Sequence, residues 1–302
     1  MLPGEWRLDY PGTSFSVGGW DAVANPFRLP NAIGLNAAPT IGDAELATDD
    51  AARPRGDGSA MGADYRGGRT ISLSLSCRGS SEQEGLALAA RVATAWRADA
   101  IRLQPGAYAQ LSTYNGGRER AAFGRPRRLT PNDTARKQGL VTVECDFQTL
   151  DDRWYDLQDS GMSLAFVNPP PSGIFFPAVT PITTTPITLT PGFFRVDGEL
   201  EVDPVVTITG PITNPVVQVV GVWSLQLNLT IPQGVRVTAD TRPWAQSVTA
   251  SDGASYAGSL SRLSRLDRMR LSPGNYAVTF AGVDNTGLSS MQIAWRNAYP
   301  SL

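Results

Sequence analysis

The chain has 302 residues, of which 41% are hydrophobic and 18% are charged, so it is long enough for two domains that each bury a core. The formal net charge of −2 produces no global field that would attract nucleic acid, and we expect no specific nucleic-acid partner. The chain contains no histidine, which excludes Ser–His–Asp and Cys–His catalytic groups and zinc sites with histidine ligands.

The start of the chain predicts no export signal. Residues 1–7 lack the basic segment and the following apolar segment of a secretory signal. No apolar run approaches the roughly 20 residues that are needed to span a bilayer. We therefore expect a protein that folds and assembles in the cytoplasm, without membrane insertion.

The first 77 residues mix strand-like and loop-like sequence. Residues 1–40 combine Gly, Pro and aromatic residues, which predicts short strands and loops, with candidate strands around 15–20 and 26–30. Residues 42–68 are polar and rich in Gly, which is typical of a long loop. Residues 69–77 alternate apolar and polar side chains, and this pattern predicts a half-buried strand.

One helix is predicted, from Ser81 to about Asp99. Ser81 and Glu84 have the spacing of a capping box, in which the first residue caps the helix and the second reaches back to its start. Leu88, Val92 and Trp96 recur at a spacing of four and would share one face. We interpret that face as the one that packs on a sheet, in preference to a ligand-stacking stripe.

Several strands and a basic segment follow the helix. Residues 101–103 predict a short strand that ends at the turn 104–106, and residues 109–114, 121–123 and 140–147 predict further strands. Seven basic residues lie within 118–137: Arg118, Arg120, Arg125, Arg127, Arg128, Arg136 and Lys137. Aromatic residues are too sparse there to favour nucleic-acid binding. A solvated face, or one half of a charge match between subunits, explains the segment better.

The second half of the chain predicts an all-β domain. Residues 168–192 are rich in Pro and predict a connection with the character of an edge strand. From about Gly198 onward, short strand-like runs alternate with turns, which favours a β-sandwich of the jelly-roll or galectin-like type. The longest run is 223–231, where every second residue is apolar. We expect Trp223, Leu225, Leu227, Leu229 and Ile231 to face the core, and Ser224, Gln226, Asn228 and Thr230 to face outward.

Three groups of residues are candidates for chemistry or binding. Four alternating carboxylates, Asp197, Glu199, Glu201 and Asp203, would share a strand face and form a cation site, a glycosidase acid pair or, as we favour, a solvated face. Asp240 lies two residues before Arg242, and we expect the two to pair in a structural role. Five aromatic residues are candidates for a sugar-stacking platform, although packing explains them better: Trp223, Trp244, Tyr256, Trp295 and Tyr299.

No pattern predicts a catalytic centre. Cys77 and Cys145 both lie in strand-like runs and are interpreted as buried, reduced thiols, since their spacing is not that of a metal site. Phosphate-binding loops, dinucleotide fingerprints and nucleophile elbows are absent from the sequence. We therefore expect a protein that is not an enzyme, with no catalytic, cofactor-binding or metal-binding residues and no cofactor.

An ordered set of short motifs in the last hundred residues resembles the distal tail proteins of siphophages, the Dit-like minor tail protein family. The set comprises 208–212 with its Gly-Pro turn, Asn214-Pro215, 235–242 with Asp240 near a strand end, 271–276 with its Pro-Gly-Asn turn, and 293–299 with its Trp-Arg pair. The likeness extends more weakly to 60–155, where Arg66-Gly-Gly-Arg69 leads into an alternating strand.

The resemblance implies a mainly β protein with one helix in its N-terminal domain. It implies an N-terminal ring domain attached to the tail tube (1–160), the Pro-rich connection (161–197) and a C-terminal galectin-like or jelly-roll β-sandwich (198–302). It further implies a structural protein of the virion, located at the tail tip. In that family a homo-hexameric ring joins the tail tube to the tail-tip hub, the baseplate and the receptor-binding proteins.

Two alternative functions remain at this point. A carbohydrate-binding adhesin module that contacts the host envelope is the main alternative, and a tail-associated hydrolase is a minor one. The outward residues of 223–231 are small and uncharged, which favours docking of the C-terminal domain on another tail protein over direct sugar recognition. Sugar recognition would need an exposed aromatic residue, such as Trp244 or Tyr256, beside convergent polar groups.

Overall fold

The structure, a computed structural model, describes residues 1, 4–18, 32–167 and 191–302. These residues form two compact units, of which the first comprises 1–157 and 299–302 and the second comprises 158–298. The fold is mainly β with one long helix, which confirms the predicted fold class. The predictions for 26–30 and 168–190, and part of that for 15–20, lie outside the described residues.

The first unit is built around one ten-stranded antiparallel sheet. Its main path has the order β2-β1-β10-β11-β12-β9-β3, with the remaining strands paired to its members. The strands are β1 (Trp6–Tyr10), β2 (Thr13–Val17), β3 (Ala32–Leu35), β4 (Thr40–Ile41), β9 (Thr70–Arg78), β10 (Ala109–Asn115), β11 (Arg118–Asn132), β12 (Leu140–Thr149), β13 (Trp154–Asp156) and β24 (Ala298–Tyr299). The strands predicted at 69–77, 109–114, 121–123 and 140–147 are confirmed.

The two ends of this sheet meet, so that the sheet is nearly closed on itself. Gly18, which follows β2, forms a parallel bridge with Gly34 in β3. The Gly18 amide donates to the Ile33 carbonyl at 3.3 Å, and the Leu35 amide donates to the Gly18 carbonyl at 3.4 Å. Closure of this kind reduces the length of exposed strand edge through which the protein could aggregate with other chains.

Helix α1 (Glu82–Arg97) packs against β9, β11 and β12. Its predicted start is confirmed, because the Glu84 amide donates to Ser81 Oγ at 3.3 Å. The Glu84 carboxylate accepts from the amide of Ser80 at 2.9 Å, one residue before the partner that a capping box requires. Leu88, Val92 and Trp96 are all buried, as predicted. The Trp96 indole also donates to the Asp146 carbonyl at 3.1 Å, which ties the helix to the sheet.

The predicted strand at 101–103 is wrong, because these residues lie in or directly after a short helix, α2 (Asp99–Arg102). Ala98 ends α1 in the left-handed conformation, with φ of 48°. Its carbonyl then accepts from the amides of Ile101 and Arg102, both at 3.0 Å. The resulting turn buries Ile101 in the core of the first unit. Alternation over three residues carried too little information to distinguish a strand from such a turn.

The predicted long loop at 42–68 is wrong in part, because these residues form a two-step hairpin. Strand β5 (Leu46–Thr48) pairs with β8 (Asp64–Arg66), and β6 (Ala51–Ala52) pairs with β7 (Ser59–Ala60). All four strands are exposed throughout. At the base of the hairpin, a Cβ on Gly68 would lie 2.0 Å from the Thr149 carbonyl oxygen. The backbones of Gly68 and Thr149 are therefore close enough that only glycine fits at this position.

The second unit contains two five-stranded antiparallel sheets. Their orders are β14-β23-β16-β20-β21 and β15-β22-β17-β18, with β19 paired to β17. The strands are β14 (Ser160–Ala165), β15 (Gly192–Val196), β16 (Val205–Thr209), β17 (Ile212–Val219), β18 (Trp223–Gln226), β19 (Thr230–Ile231), β20 (Arg236–Asp240), β21 (Ser247–Ala250), β22 (Gly274–Val283) and β23 (Ser290–Trp295). Three short 3₁₀ helices complete the described chain, at Arg136–Gln138 in the first unit and at Ala257–Ser259 and Leu266–Arg268 in the second.

Aromatic contacts join the two sheets face to face. Phe194 in β15 lies 5.0 Å from Trp295 in β23, measured between ring centroids. Phe166, which follows β14, makes an edge contact with Phe280 in β22 at 5.8 Å. In each pair one ring comes from one sheet and the other ring comes from, or directly follows a strand of, the second sheet. The predicted sandwich architecture is therefore present.

The run 223–231 is not one continuous strand. Its burial alternates as predicted, with Leu229 only half-buried. The strand is interrupted between β18 and β19, because Leu227 donates its amide to the Pro215 carbonyl at 3.1 Å while the Asn228 amide donates to the Ser259 carbonyl at 2.7 Å. The sequence alternation thus predicted burial correctly but not the change of backbone partner.

The junction between the units differs from the predicted one. The second unit begins at Gln158, and both β14, most of which lies in the predicted connection 161–197, and β15, which lies wholly within it, belong to its sheets. The last four residues of the chain belong to the first unit, where Tyr299 and Leu302 pack against the core. The second unit is therefore inserted into the first.

The motifs behind the family resemblance lie at strand ends. Gly210-Pro211 forms the turn after β16, where a Cβ on Gly210 would lie 2.3 Å from the Pro232 carbonyl oxygen. Asp240 ends β20, and Trp295 ends β23.

Gly85 tests the packing at the start of α1. Alanine is a better helix former than glycine by about 1 kcal/mol. A Cβ on Gly85 would nevertheless lie 2.5 Å from the Gly139 carbonyl oxygen. We expect Gly85→Ala to lower the melting temperature. Gly56→Ala is the matched control, because a Cβ there meets open space. A Gly85→Ala variant that melts higher than the parent would contradict this packing.

Asp284 links the stability of the second unit to pH. Burial acts to raise its pKa, but hydrogen bonds from Thr286 and Ser289, through hydroxyls and amides at 2.6–2.9 Å, outweigh burial and lower the pKa below its ordinary value. The stabilisation is therefore complete above about pH 5, roughly one unit above the ordinary aspartate pKa, and is lost as the pH falls below it. We expect Asp284→Asn to unfold more easily at neutral pH and to lose less stability below pH 4, as measured by urea denaturation. Equal acid sensitivity in both proteins would disprove this role.

Candidate functional site

The feature that decides how the chain is organised is a buried cation where it leaves and re-enters the first unit. The Arg120 side chain is 8% exposed, and its Nη1 donates to Asp156 Oδ1 at 2.5 Å. The guanidinium carbon lies 3.6 Å from the centroid of the Tyr299 ring. We call Arg120, Asp156 and Tyr299 the crossing cluster. A cation with a carboxylate at one side and an aromatic face at another is stabilised by both.

Each member of the crossing cluster lies on a different part of the chain. Arg120 is in β11 at the centre of the sheet, and Asp156 ends β13, which pairs with β11. Asp156 is one residue before the end of the first unit's main segment, and Tyr299 begins the returning segment. Sequence analysis singled out Arg120 within a basic segment and Tyr299 as an aromatic candidate, but no sequence pattern connects them.

A half-buried carboxylate, Asp151, supports the segment that leads to the crossing. Burial raises the pKa of Asp151, although the Tyr155 hydroxyl and the Arg153 amide donate to it at 2.5 and 3.2 Å and oppose the increase. These bonds fix the turn between β12 and β13. The direction of the chain after this turn allows Tyr155 and Asp156 to pair with β11.

The predicted row of four carboxylates does not form. Residues 197–204 contain only isolated bridges, at Leu200 and Val202, in place of a strand. Three of the carboxylates have different partners: Asp197 pairs with Arg195 at 2.7 Å, Glu201 accepts from Ser272 at 3.1 Å, and Asp203 pairs with Arg270 at 3.2 Å. Gly198, with φ of 104°, breaks the alternation that the sequence suggested. The four side chains are therefore not aligned on one strand face.

The predicted Asp240–Arg242 pair is confirmed. Arg242 Nη2 lies 2.5 Å from Asp240 Oδ2, and the Arg242 amide donates to Asp240 Oδ1 at 3.0 Å. The predicted buried thiols are also confirmed, since Cys77 and Cys145 are both free and buried. Burial raises the pKa of Cys77 to about 11 and raises that of Cys145 as well, so both thiols stay protonated and unreactive.

Within the ranges that the structure describes, no group of three or more Cys, Asp or Glu side chains is arranged to hold a metal ion. No helix in those ranges is long and apolar enough to cross a membrane.

The five aromatic candidates do not act together as a stacking platform. Trp223 and Trp295 are buried, and the Trp295 indole donates to Asn297 Oδ1 at 3.2 Å. Trp244 is half-buried and Tyr256 is exposed, whereas Tyr299 belongs to the crossing cluster. The sequence analysis did not single out Phe193, which is 76% exposed and lies beside a groove in the second unit.

The basic segment 118–137 does not form one uniform face. Arg120 is buried, and Arg125 donates to the Ala107 carbonyl at 2.6 Å. Arg136 pairs with Glu82 at 3.2 Å and with Asp133 at 3.0 Å. Arg127 and Arg128 are exposed at the far half of β11. Apart from Arg118, the exposed basic residues of the segment therefore lie in its second half, 127–137.

Comparison with known proteins gives no match at the level of sequence families or curated proteins. Solved structures do match. The crystal structure of SPP1 Dit, described as a paradigm of the hub adsorption apparatus in phages that infect Gram-positive bacteria, aligns with a TM-score of 0.52 at 12% identity and covers 97% of this chain and 98% of that chain. The chain has the fold of a Dit protein.

Structures of the phage P2 baseplate give the same result. In its activated conformation with Ca, the matching chain aligns with a TM-score of 0.54 at 11% identity, and with Sr the TM-score is 0.53 at 11% identity. Both alignments cover 96% of this chain and 97% of the other. The Dit fold thus extends through both units of the chain.

The crossing cluster predicts a large effect of one substitution. Arg120→Ala would remove the buried partner of an Asp156 carboxylate that is itself 28% exposed, and losing this charge-assisted hydrogen bond together with the contact on the Tyr299 ring costs about 2 kcal/mol. We expect a corresponding loss in the free energy of unfolding, measured by chemical denaturation. Arg118→Ala is the control, because Arg118 is exposed on the same strand and its loss should change the free energy by less than about 0.5 kcal/mol. Equal effects of the two substitutions would show that the cluster does not stabilise the first unit.

Proposed function

We propose that this protein is a distal tail protein of a long-tailed phage, a structural component of the virion tail tip. In this proposal its first unit forms a hexameric ring that joins the tail tube to the baseplate hub and the host-recognition proteins. The observation that carries the proposal is the alignment with Dit and baseplate chains over at least 96% of both partners, including the inserted second unit. A shared single domain would support much less than a shared two-unit organisation.

The hairpin 42–68 supports contact between copies in such a ring. It contains six acidic and three basic residues, and its four strands are exposed in the isolated chain. A two-stranded ribbon that is exposed on all sides is stable chiefly when it packs against something else. The hairpin is anchored at its base, where Arg66 pairs with Asp152 at 3.4 Å.

The accessible basic segment 127–137 has the opposite charge. It contains Arg127, Arg128, Arg136 and Lys137 against the single acidic residue Asp133. We propose that the acidic hairpin of one copy contacts this segment of the next. Such a contact joins two different surfaces, and repeating it closes a ring when the rotation from one copy to the next divides a full turn.

We further propose that the protein has no catalytic activity. The chain has no histidine, and its most conspicuous carboxylates, at 197–203, have structural partners or face solvent. Its role is then to hold other tail proteins at fixed positions. Host, receptor and neighbouring proteins would be determined by surfaces that differ between phages.

The ring contact makes a prediction that can be measured by native mass spectrometry of the full chain. We expect a hexamer for the parent protein and a shift to monomer when Arg127→Glu and Arg128→Glu are combined. The acidic hairpin of one copy would then face new carboxylates on the next copy, and the two would repel each other. Combining these changes with Asp49→Arg and Asp50→Arg should restore assembly. Arg262→Glu with Arg268→Glu is the control, since it makes the same charge change at exposed positions in the second unit.

Two results would refute this contact. The first is a parent protein that stays monomeric at all concentrations and also in the presence of tail tubes. The second is a hexamer that the control pair disrupts as strongly as the pair at 127 and 128, since the effect would then reflect net charge alone.

A further inference from the structure

The turn that joins β10 to β11 contains an asparagine directly before a glycine. Asn115 is the last residue of β10, and it lies opposite Arg118, the first residue of β11. Gly116 and Gly117 form the two-residue turn between them, with φ of 57° and 80°. Glycine adopts these values without strain, and they suit the twist of a hairpin. In the whole sequence, Asn115 is the only asparagine that precedes a glycine.

The groups of this dipeptide that could react with each other are accessible. Asn115 and Gly116 are both exposed, and a Cβ on Gly116 would meet open space. Within the part of the chain that the structure describes, no residue forms a hydrogen bond with the Asn115 side chain or with the Gly116 backbone N–H. A two-residue hairpin leaves this N–H free, because the hydrogen bonds that close the turn join the residues on either side of it.

We propose that Asn115 is a site of spontaneous deamidation, a covalent modification of the chain by its own backbone. The Gly116 nitrogen loses its proton to solvent and bonds to Cγ of Asn115. The bond between Cγ and the side-chain nitrogen breaks, and that nitrogen takes up a proton and leaves as ammonia. The product of this step is a five-membered cyclic imide.

Water from the solvent completes the reaction by opening the imide at one of its two carbonyl carbons. Attack at Cγ gives an aspartate, and attack at the backbone carbonyl carbon gives an isoaspartate, in which the main chain runs through the side-chain carbon. In both cases an amide and a water molecule become a carboxylic acid and ammonia. The step needs no oxidant, reductant or cofactor.

The glycines of the turn make the ring closure possible. The Gly116 nitrogen reaches Cγ only when ψ of Asn115 rotates out of its extended range. A side chain at position 116 would obstruct this approach, whereas glycine has no Cβ and adopts both signs of φ. The rotation opens the pair between Asn115 and Arg118 at the end of the hairpin, and the pair between Thr113 and Arg120 remains in place.

Asn132, near the other end of β11, shows which features protect an exposed asparagine. Its side-chain oxygen accepts from the amide and the hydroxyl of Thr134 at 3.1 and 2.6 Å. The next residue is Asp133, whose Cβ obstructs the approach of the backbone nitrogen. Asn132 is exposed like Asn115, so it is an internal control for the effects of the following residue and of side-chain hydrogen bonding.

The two products have different effects on the hairpin. Opposite residues of an antiparallel pair have Cβ atoms about 5 Å apart, so the carboxylate of the aspartate product faces the guanidinium of Arg118 and preserves the fold. The isoaspartate product adds a methylene to the backbone at the end of β10. It therefore disturbs the pairing register that leads to Arg120 of the crossing cluster.

The test incubates the full chain at mildly alkaline pH for several weeks. Mass spectrometry of peptides then measures the conversion of amide to carboxylate at positions 115 and 132. We expect Asn115 to convert roughly tenfold faster than Asn132, or more. Asn115→Gln is the matched variant, because its longer side chain forms the cyclic imide more slowly and should prevent the charge change at this position.

A parallel incubation in urea shows whether the folded turn itself permits the reaction. Three results would overturn the proposal: conversion of Asn115 only in the unfolded chain, equal rates at Asn115 and Asn132, or the same conversion at position 115 in Asn115→Gln. The isoaspartate form, separated by ion exchange, should melt at a lower temperature than Asn115→Asp, and equal melting would contradict the effect on register. None of these outcomes depends on ring formation, because the reacting groups lie in one hairpin of one chain.

Discussion

The buried guanidinium of Arg120 is the interaction on which the two-unit organisation depends. Taking this cation out of water costs free energy, and Asp156 at 2.5 Å and the Tyr299 ring at 3.6 Å offset that cost. The two partners lie where the chain leaves the first unit and where it returns. One side chain on the central strand β11 therefore fixes both connections to the inserted unit, which suits a proposed tail-tip component whose second unit is held by two segments.

The two units deal differently with exposed strand edges, and this difference matches their proposed roles. The first unit nearly closes its sheet through Gly18 and Gly34, and among its described residues the hairpin 42–68 and the arginines at 127 and 128 are exposed. The second unit keeps open edge strands. On one of them, Phe194 packs against Tyr276 and Trp295, whereas Phe193 is exposed. The first unit thus presents an acidic hairpin and a basic segment, and the second unit presents open edge strands.

The sequence predicted the parts of this structure that depend on local patterns. Alternation located β9, β12 and the buried side of 223–231, and the cap at Ser81 located α1. Patterns of three to seven residues failed where the backbone conformation of one residue decided the local structure. The left-handed Ala98 is followed by the short helix α2 in place of the strand predicted at 101–103, and the positive φ of Gly198 interrupts the row of carboxylates. The crossing cluster could not be predicted, because its members are separated by up to 179 positions in the chain. Likewise, no local pattern distinguishes the exposed Phe193 from the packed Phe194.

Imaging of intact virions tests the central claim, that this chain is a structural component of the tail tip, most directly. A reconstruction of the tail would be made from particles whose copies of this protein have a tag at the C-terminus, next to the crossing cluster. The account predicts a closed ring of this fold at the distal end of the tail tube, with its first unit toward the tube axis and the tag density once per copy. Finding the tagged protein elsewhere in the particle, as isolated single copies at the tail tip, or absent from purified virions would contradict the account.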